Sequence, residues 1–147
     1  MKTIIFVCHG NICRSPAAEY IFKKILKDHH KENEYIVFSR ALSNEEIGND
    51  IYPPMKEELR KNHIPFDLHY AKRLSNKECE EADVIYYMDD SNLRMINYYF
   101  PKYLDKFMPI YMFEDSVREI EDPWYTRRFN LVFNQIEKCL KKIFEYL

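Results

Sequence analysis

The chain opens Lys2-Thr3-Ile4-Ile5-Phe6-Val7-Cys8-His9-Gly10-Asn11-Ile12-Cys13-Arg14-Ser15-Pro16, and three kinds of local structure follow one another within it. Lys2 to Val7 is a β-branched and apolar run without alternation, the pattern of a strand buried on both faces of a parallel sheet. Cys8 to Ser15 is short and polar. Ser15 suits an N-cap and Pro16 the first helical position, where its missing N–H costs nothing. Beyond it Ala18, Ile21, Phe22, Ile25 and Leu26 recur at helical spacing, with Glu19, Lys23, Lys24 and Lys27 outside that face. The order is therefore strand, loop, helix. Gly10 and Asn11 tolerate the positive φ that a loop this tight requires. The chain has only two glycines, Gly10 and Gly48, so each is expected where a side chain does not fit.

The same beat continues along the chain. Tyr35 to Ser39 predicts a second strand, and Met55 to Lys61 part of a helix that follows a turn at Pro53-Pro54. Asp83 to Met88 predicts a third strand, ending at Asp89-Asp90-Ser91, which can cap another helix. Phe107 to Tyr111 supplies a fourth. Phe129, Val132, Phe133, Ile136, Leu140, Ile143, Phe144 and Leu147 share one stripe of a long closing helix. This alternation predicts an α/β fold: one doubly wound domain over residues 1–147, with a central four-stranded parallel sheet and helices on both faces. In such folds ligands bind beyond the carboxyl ends of the strands, where Cys8 and Asp89 both lie.

Composition narrows the function classes. The 147 residues are 46% hydrophobic and 31% charged with a net charge of -2, as in an ordinary globular domain, and offer no electrostatic grip on nucleic acid or anionic lipid. Neither a nucleic-acid nor a membrane partner is expected. Ile4 to Val7 is too short for the roughly 7–15 residue apolar core of a signal peptide. Four cysteines, Cys8, Cys13, Cys79 and Cys139, are too scattered for a disulfide framework, which points to a reducing, cytoplasmic setting. His9, His29, His30 and His63 form no metal-ligand spacing with them, so no metal or other cofactor is expected.

A cysteine at the junction of buried strand and helix start is unlike a core thiol. The N–H groups of such a turn converge on an anion, and with Arg14 nearby they would stabilise thiolate over thiol, making Cys8 a nucleophile. The planar fork of Arg14 can hold two oxygens of a tetrahedral oxyanion. A Cys-x5-Arg spacing alone arises by chance roughly 0.2 times in a chain of this composition, so its position between strand and helix carries the weight.

Val7-Cys8-His9-Gly10-Asn11-Ile12-Cys13-Arg14-Ser15-Pro16 resembles the signature of the low-molecular-weight protein tyrosine phosphatases. Two further blocks support the resemblance, which spans the whole chain. Glu121-Asp122-Pro123-Trp124-Tyr125 is similar to the family's general-acid loop, and Met88-Asp89-x-Ser91-Asn92-Leu93-Arg94 to the segment after its fourth strand. The resemblance implies hydrolysis of phosphotyrosine in proteins: Cys8 attacks phosphorus, Arg14 and the loop N–H groups hold the phosphate oxygens, and Asp122 is general acid and then base. His9, Gly10, Asn11, Ile12, Cys13 and Ser15 would form the phosphate loop. Ser15 would also stabilise the leaving thiolate, while Ser39 and His69 lock Asn11. Glu45, Asp89, Trp124 and Tyr125 would border the substrate pocket. Cys13 would be a reversible disulfide partner of Cys8, shielding it from over-oxidation. The implied partners are a phosphotyrosine protein as substrate and inorganic phosphate as product, with the enzyme a monomer.

Two departures stand out. Ser39-Arg40-Ala41-Leu42 replaces the family's usual Ser-Ala-Gly-Thr, and Glu45 replaces a wall residue that is often aromatic. An acidic wall would disfavour acidic peptides or favour basic ones. Rival activities share this fold. A protein arginine phosphatase carries threonine where Ile12 stands, and a thiol-linked arsenate reductase needs cysteines near Tyr86-Tyr87-Met88-Asp89, where this chain has none.

Overall fold

In a computed structural model that describes residues 1–147, β1 (Lys2–Cys8) occupies an inner position of a four-stranded, fully parallel sheet. β2 (Tyr35–Ala41), β3 (Val84–Tyr87) and β4 (Phe107–Pro109) complete it in the order β2-β1-β3-β4. Ile4 pairs with Val37 on one side and Val84 on the other. Ile4, Phe6 and Cys8 belong to the larger of two apolar clusters and Ile5 and Val7 to the smaller, so both faces of β1 are covered. This double burial is why Lys2 to Val7 shows no alternation.

The helices are α1 (Arg14–Asp28), α2 (Pro53–Lys61), α3 (Asn76–Glu81), α4 (Asp90–Tyr99), the single turn α5 (Pro123–Thr126) and α6 (Phe129–Glu145). α1, α2 and α6 contribute to the larger cluster, and α3 and α4 to the smaller one. Phe6 packs 5.8 Å from Phe22 of α1 and 5.7 Å from Tyr86 of β3, ring centre to ring centre. Burying each such ring stabilises the fold by about 1.5–3 kcal/mol. The chain leaves β1 for β2 on one side and returns to β3 on the other. That reversal opens a crevice at the carboxyl ends of β1 and β3, beside Cys8 and Asp89. No helix is long and apolar enough to cross a membrane.

Several boundaries differ from expectation. α1 begins at Arg14, with Cys13 at the N-cap and no side-chain capping bond, so Ser15 is not the cap. Pro16 is third in the helix, where its N–H would still have no intrahelical partner. Pro53 and Pro54 are the first two residues of α2 and not a turn before it, because a fixed φ near −65° suits a helix start. The fourth strand ends at Pro109, short of Tyr111. Asn11 has the positive φ, 62°, whereas Gly10 does not share it. A Cβ on Gly10 would meet Glu46 Cγ at 3.2 Å, while Gly48 has open space and a φ of 87°. Backbone conformation explains the second glycine, whereas a side chain at the first would require Glu46 to shift by a few tenths of an ångström. Arg40 and Ala41 continue β2, paired with Val7 and Cys8, so the departure after Ser39 leaves the strand intact.

Candidate active site

β1 delivers Cys8 to the bottom of a loop whose buried side chains Asn11 and Ser15 are held by several hydrogen bonds. Ser15 Oγ lies 3.0 Å from Cys8 Sγ, and the Asn11 N–H donates to the same sulfur at 3.3 Å. A run of hydrogen bonds links Lys23 to Ser15, whose hydroxyl also lies 3.5 Å from the Arg40 carbonyl. Lys23 Nζ donates to Glu19 Oε2 at 2.6 Å, and Ser39 Oγ donates to Glu19 Oε1 at 2.7 Å. Asn11 Nδ2 then donates to Ser39 Oγ at 3.0 Å and to Ser15 Oγ at 2.8 Å. With its lone pair engaged, the Ser15 hydroxyl can aim its hydrogen at the sulfur. The left-handed backbone of Asn11 is pinned by His69 Nε2 donating to its carbonyl at 2.6 Å and by the Lys72 N–H donating to its Oδ1 at 3.2 Å. A conformation that costs on the order of 1–3 kcal/mol persists because these contacts over-determine it.

Arg14 returns at the first turn of α1 with its side chain 3% exposed. Nη1 donates to Asp89 Oδ2 at 2.7 Å and to the Ile120 carbonyl at 2.8 Å, and Nη2 lies 3.6 Å from Asp122 Oδ2. Burial disfavours the charge, but Cys8, Asp89 and Asp122 outweigh it and hold the guanidinium pKa above its usual value. Asp89 does two jobs, since its Oδ1 also accepts from the Asn92 N–H at 2.7 Å and caps α4. Asp122 caps α5 through the Trp124 N–H at 3.0 Å. Burial, together with the nearby Cys8 and Asp122, pushes the Cys13 thiol far above the ordinary cysteine value, so it stays protonated.

These groups meet in a cleft of about 190 Å³ lined by Cys8, His9, Gly10, Ile12, Cys13 and Arg14, by Glu45 and Glu46, and by Asp122, Trp124 and Tyr125. Asp89, expected on the pocket wall, is not among the lining residues. It holds Arg14 from behind and opens onto a neighbouring groove instead. Glu45 Oε2 lies 2.8 Å from His9 Nε2, with both side chains well exposed. Ser39 and His69 stand behind the loop, each within hydrogen-bond distance of Asn11. No three His, Cys, Asp or Glu side chains converge in a way that would hold a metal ion.

Three participants escaped the sequence reading. Glu19 looked like a solvated charge on the outer face of α1 but is buried and anchors the donor run. Its signal, an acidic residue four before Lys23 and close to the loop, reads equally well as a surface pair. Glu46 joins Glu45 in the cleft wall. Tyr52 donates its N–H to the Ile12 carbonyl at 2.8 Å, and nothing in its local sequence marks it.

A family model described as "Low molecular weight phosphotyrosine protein phosphatase" matches residues 3–147. A protein of that description from Gallus gallus is 34% identical over 151 residues, covering 99% of this chain and 95% of its own length. The crystal structure of YfkJ from Bacillus subtilis superposes with a TM-score of 0.93 at 28% identity, over 99% of this chain and 94% of that one. The YwlE arginine phosphatase, in a mutant with a phosphorylated active-site serine, superposes with a TM-score of 0.87 at 26% identity, over 99% and 95% of the two chains.

Proposed function

Because the chain belongs to the low molecular weight phosphotyrosine protein phosphatase family, a family of hydrolases, we propose that it removes phosphate from phosphotyrosine in proteins through a phosphocysteine intermediate. It acts as a cytoplasmic monomer with no metal or other cofactor. The observation that carries this reading is the convergence of Cys8, Arg14 and Asp122 on one cleft, with Arg14 Nη2 3.6 Å from Asp122 Oδ2.

The Cys8 sulfur attacks phosphorus as the ester P–O bond breaks. Arg14 and the loop N–H groups hold the equatorial oxygens, while Asp122 passes its proton to the departing phenolate. A water then attacks the phosphocysteine and gives its proton to Asp122. Sulfur leaves as thiolate, stabilised by Ser15, and inorganic phosphate departs. The fixed hold of Asp89 and the Ile120 carbonyl on Nη1 supports this division of labour, because it leaves Nη2 on the Asp122 side of the guanidinium.

Apolar Ile12 and the rings of Trp124 and Tyr125 in the cleft favour an aromatic phosphate ester. The likeness to an arginine phosphatase keeps phosphoarginine as the second reading, and arsenate reduction as a more distant one. A redox guard follows from the same loop. A two-electron oxidant such as peroxide takes Cys8 to the sulfenic acid, and the Cys13 thiol condenses with it, releasing water and forming a disulfide.

The test is turnover of a phosphotyrosine peptide in EDTA and reductant by wild type and Cys8→Ser, with phosphoarginine and arsenate offered in parallel. Phosphotyrosine turnover abolished by the substitution is the expected result. Preference for phosphoarginine or arsenate would replace the substrate assignment, and activity surviving in Cys8→Ser would remove the nucleophile.

A further inference from the structure

Tyr52 has no part in the chemistry above, yet it touches both halves of the site. Its N–H is bonded to Ile12 of the loop, and its ring lies 4.8 Å from that of Trp124 and 5.9 Å from that of Phe129. Its hydroxyl accepts from Arg127 Nη1 at 3.0 Å, and the Arg127 guanidinium also lies over its ring at 5.4 Å. These two contacts fall on either end of α5. Trp124 supplies the N–H that holds Asp122 Oδ1, and Arg127, with φ at 62°, is the residue that closes the turn. A single helical turn cannot hold its own shape in water, and Trp124 is 45% exposed, so the position of Asp122 must be set from outside.

We propose that Tyr52 is a positioning residue for the proton-transfer step, clamping α5 to the Cys8–Ser15 loop so that Asp122 stays within reach of the leaving group. This rests on the general-acid reading of Asp122. The clamp itself is geometric: the backbone of Tyr52 is tied to one loop, while its ring and hydroxyl are tied to the other. Weakening it therefore lets Asp122 drift from Cys8 without disturbing the nucleophile or the oxyanion donors.

Trp124 is the only tryptophan in the chain, so its fluorescence reports the position of α5 independently of turnover. The full-length protein, Tyr52→Phe and Tyr52→Ala are compared by acrylamide quenching of that emission and by kcat/KM on aryl phosphates of increasing leaving-group basicity. Tyr52→Ala is expected to red-shift the emission and raise quenching. It should lose about tenfold on phenyl phosphate yet stay within about twofold of wild type on dinitrophenyl phosphate, whose leaving group needs no proton. Tyr52→Phe, which keeps the ring and loses the hydroxyl, should fall between them. Unchanged quenching in Tyr52→Ala, or an equal loss on every substrate, would overturn the proposal. Were wild type inactive on all aryl phosphates, the phosphatase reading would fall, and quenching alone would decide the clamp.

Discussion

The Cys8–Ser15 loop and the Glu121–Thr126 segment face one cleft but are built on opposite principles. In the first, Asn11 and Ser15 are fully buried and each is held by more than one partner. In the second, Tyr125 is 82% exposed, and Asp122 is held by one backbone N–H and the edge of Arg14. The difference matches what the proposed mechanism asks of each. Donors aimed at a phosphoryl transition state are most effective when they need no reorganisation, whereas a proton donor beside a leaving group must let substrate in and product out.

Substitutions sharpen that contrast in order of size. Cys8→Ser should lower turnover of a phosphotyrosine peptide on the order of 10⁴-fold or more while leaving phosphate binding measurable by calorimetry. Loss of binding as well would mean the loop had collapsed. Arg14→Lys should cost about 10²–10³-fold in kcat/KM, because an ammonium keeps the charge but neither the fork nor both bonds to Asp89 and Ile120. A loss below tenfold would show that the buried guanidinium is not a rigid clamp.

Asp122→Asn tests the looser side. It should cost about 10²-fold on phenyl phosphate and much less on activated esters. An equal loss on phenyl phosphate and on activated esters would reject Asp122 as the acid. Ser39→Ala probes the packed side by stability: removing the hydroxyl between Asn11 and buried Glu19 should cost about 1–3 kcal/mol in urea unfolding. An unchanged midpoint would mean that the donor run is dispensable. The smallest effect is expected from Glu45→Ala. Its pairing with His9 is exposed and worth at most about 1 kcal/mol, so only the preference for basic over acidic peptides should weaken. A panel showing no charge preference in either protein would leave Glu45 without a role in selectivity.

The run from Lys2 to Pro16 and the helix it opens made the strand, the loop and the Cys8–Arg14 spacing legible, because an unbroken apolar run, a polar turn and an amphipathic stripe each mark contiguous residues. Capping was less legible. Ser15 reads as an N-cap by residue type, yet Asn11 Nδ2 and the Cys8 sulfur claim its hydroxyl, and the helix starts two residues earlier, with Cys13 at the cap. Asp89 reads as a helix cap and is one, but its second oxygen holds Arg14, 75 positions away.

What the sequence determined by itself was the alternation of strands and helices, the loop that carries Cys8 and Arg14, and the family to which the chain is similar. All of these rest on residue types at short, fixed spacing. Only the tertiary structure decided that Glu19 is an anchor, that Asp89 stands behind Arg14, that Glu46 lines the cleft and that Tyr52 links Ile12 to Trp124. Those contacts join distant segments, as between Arg14 and Asp89, 75 positions apart, and they come into being only when the sheet brings its strand ends together. A side chain's partners at that range depend on where the packed core places the backbone, which no local period records.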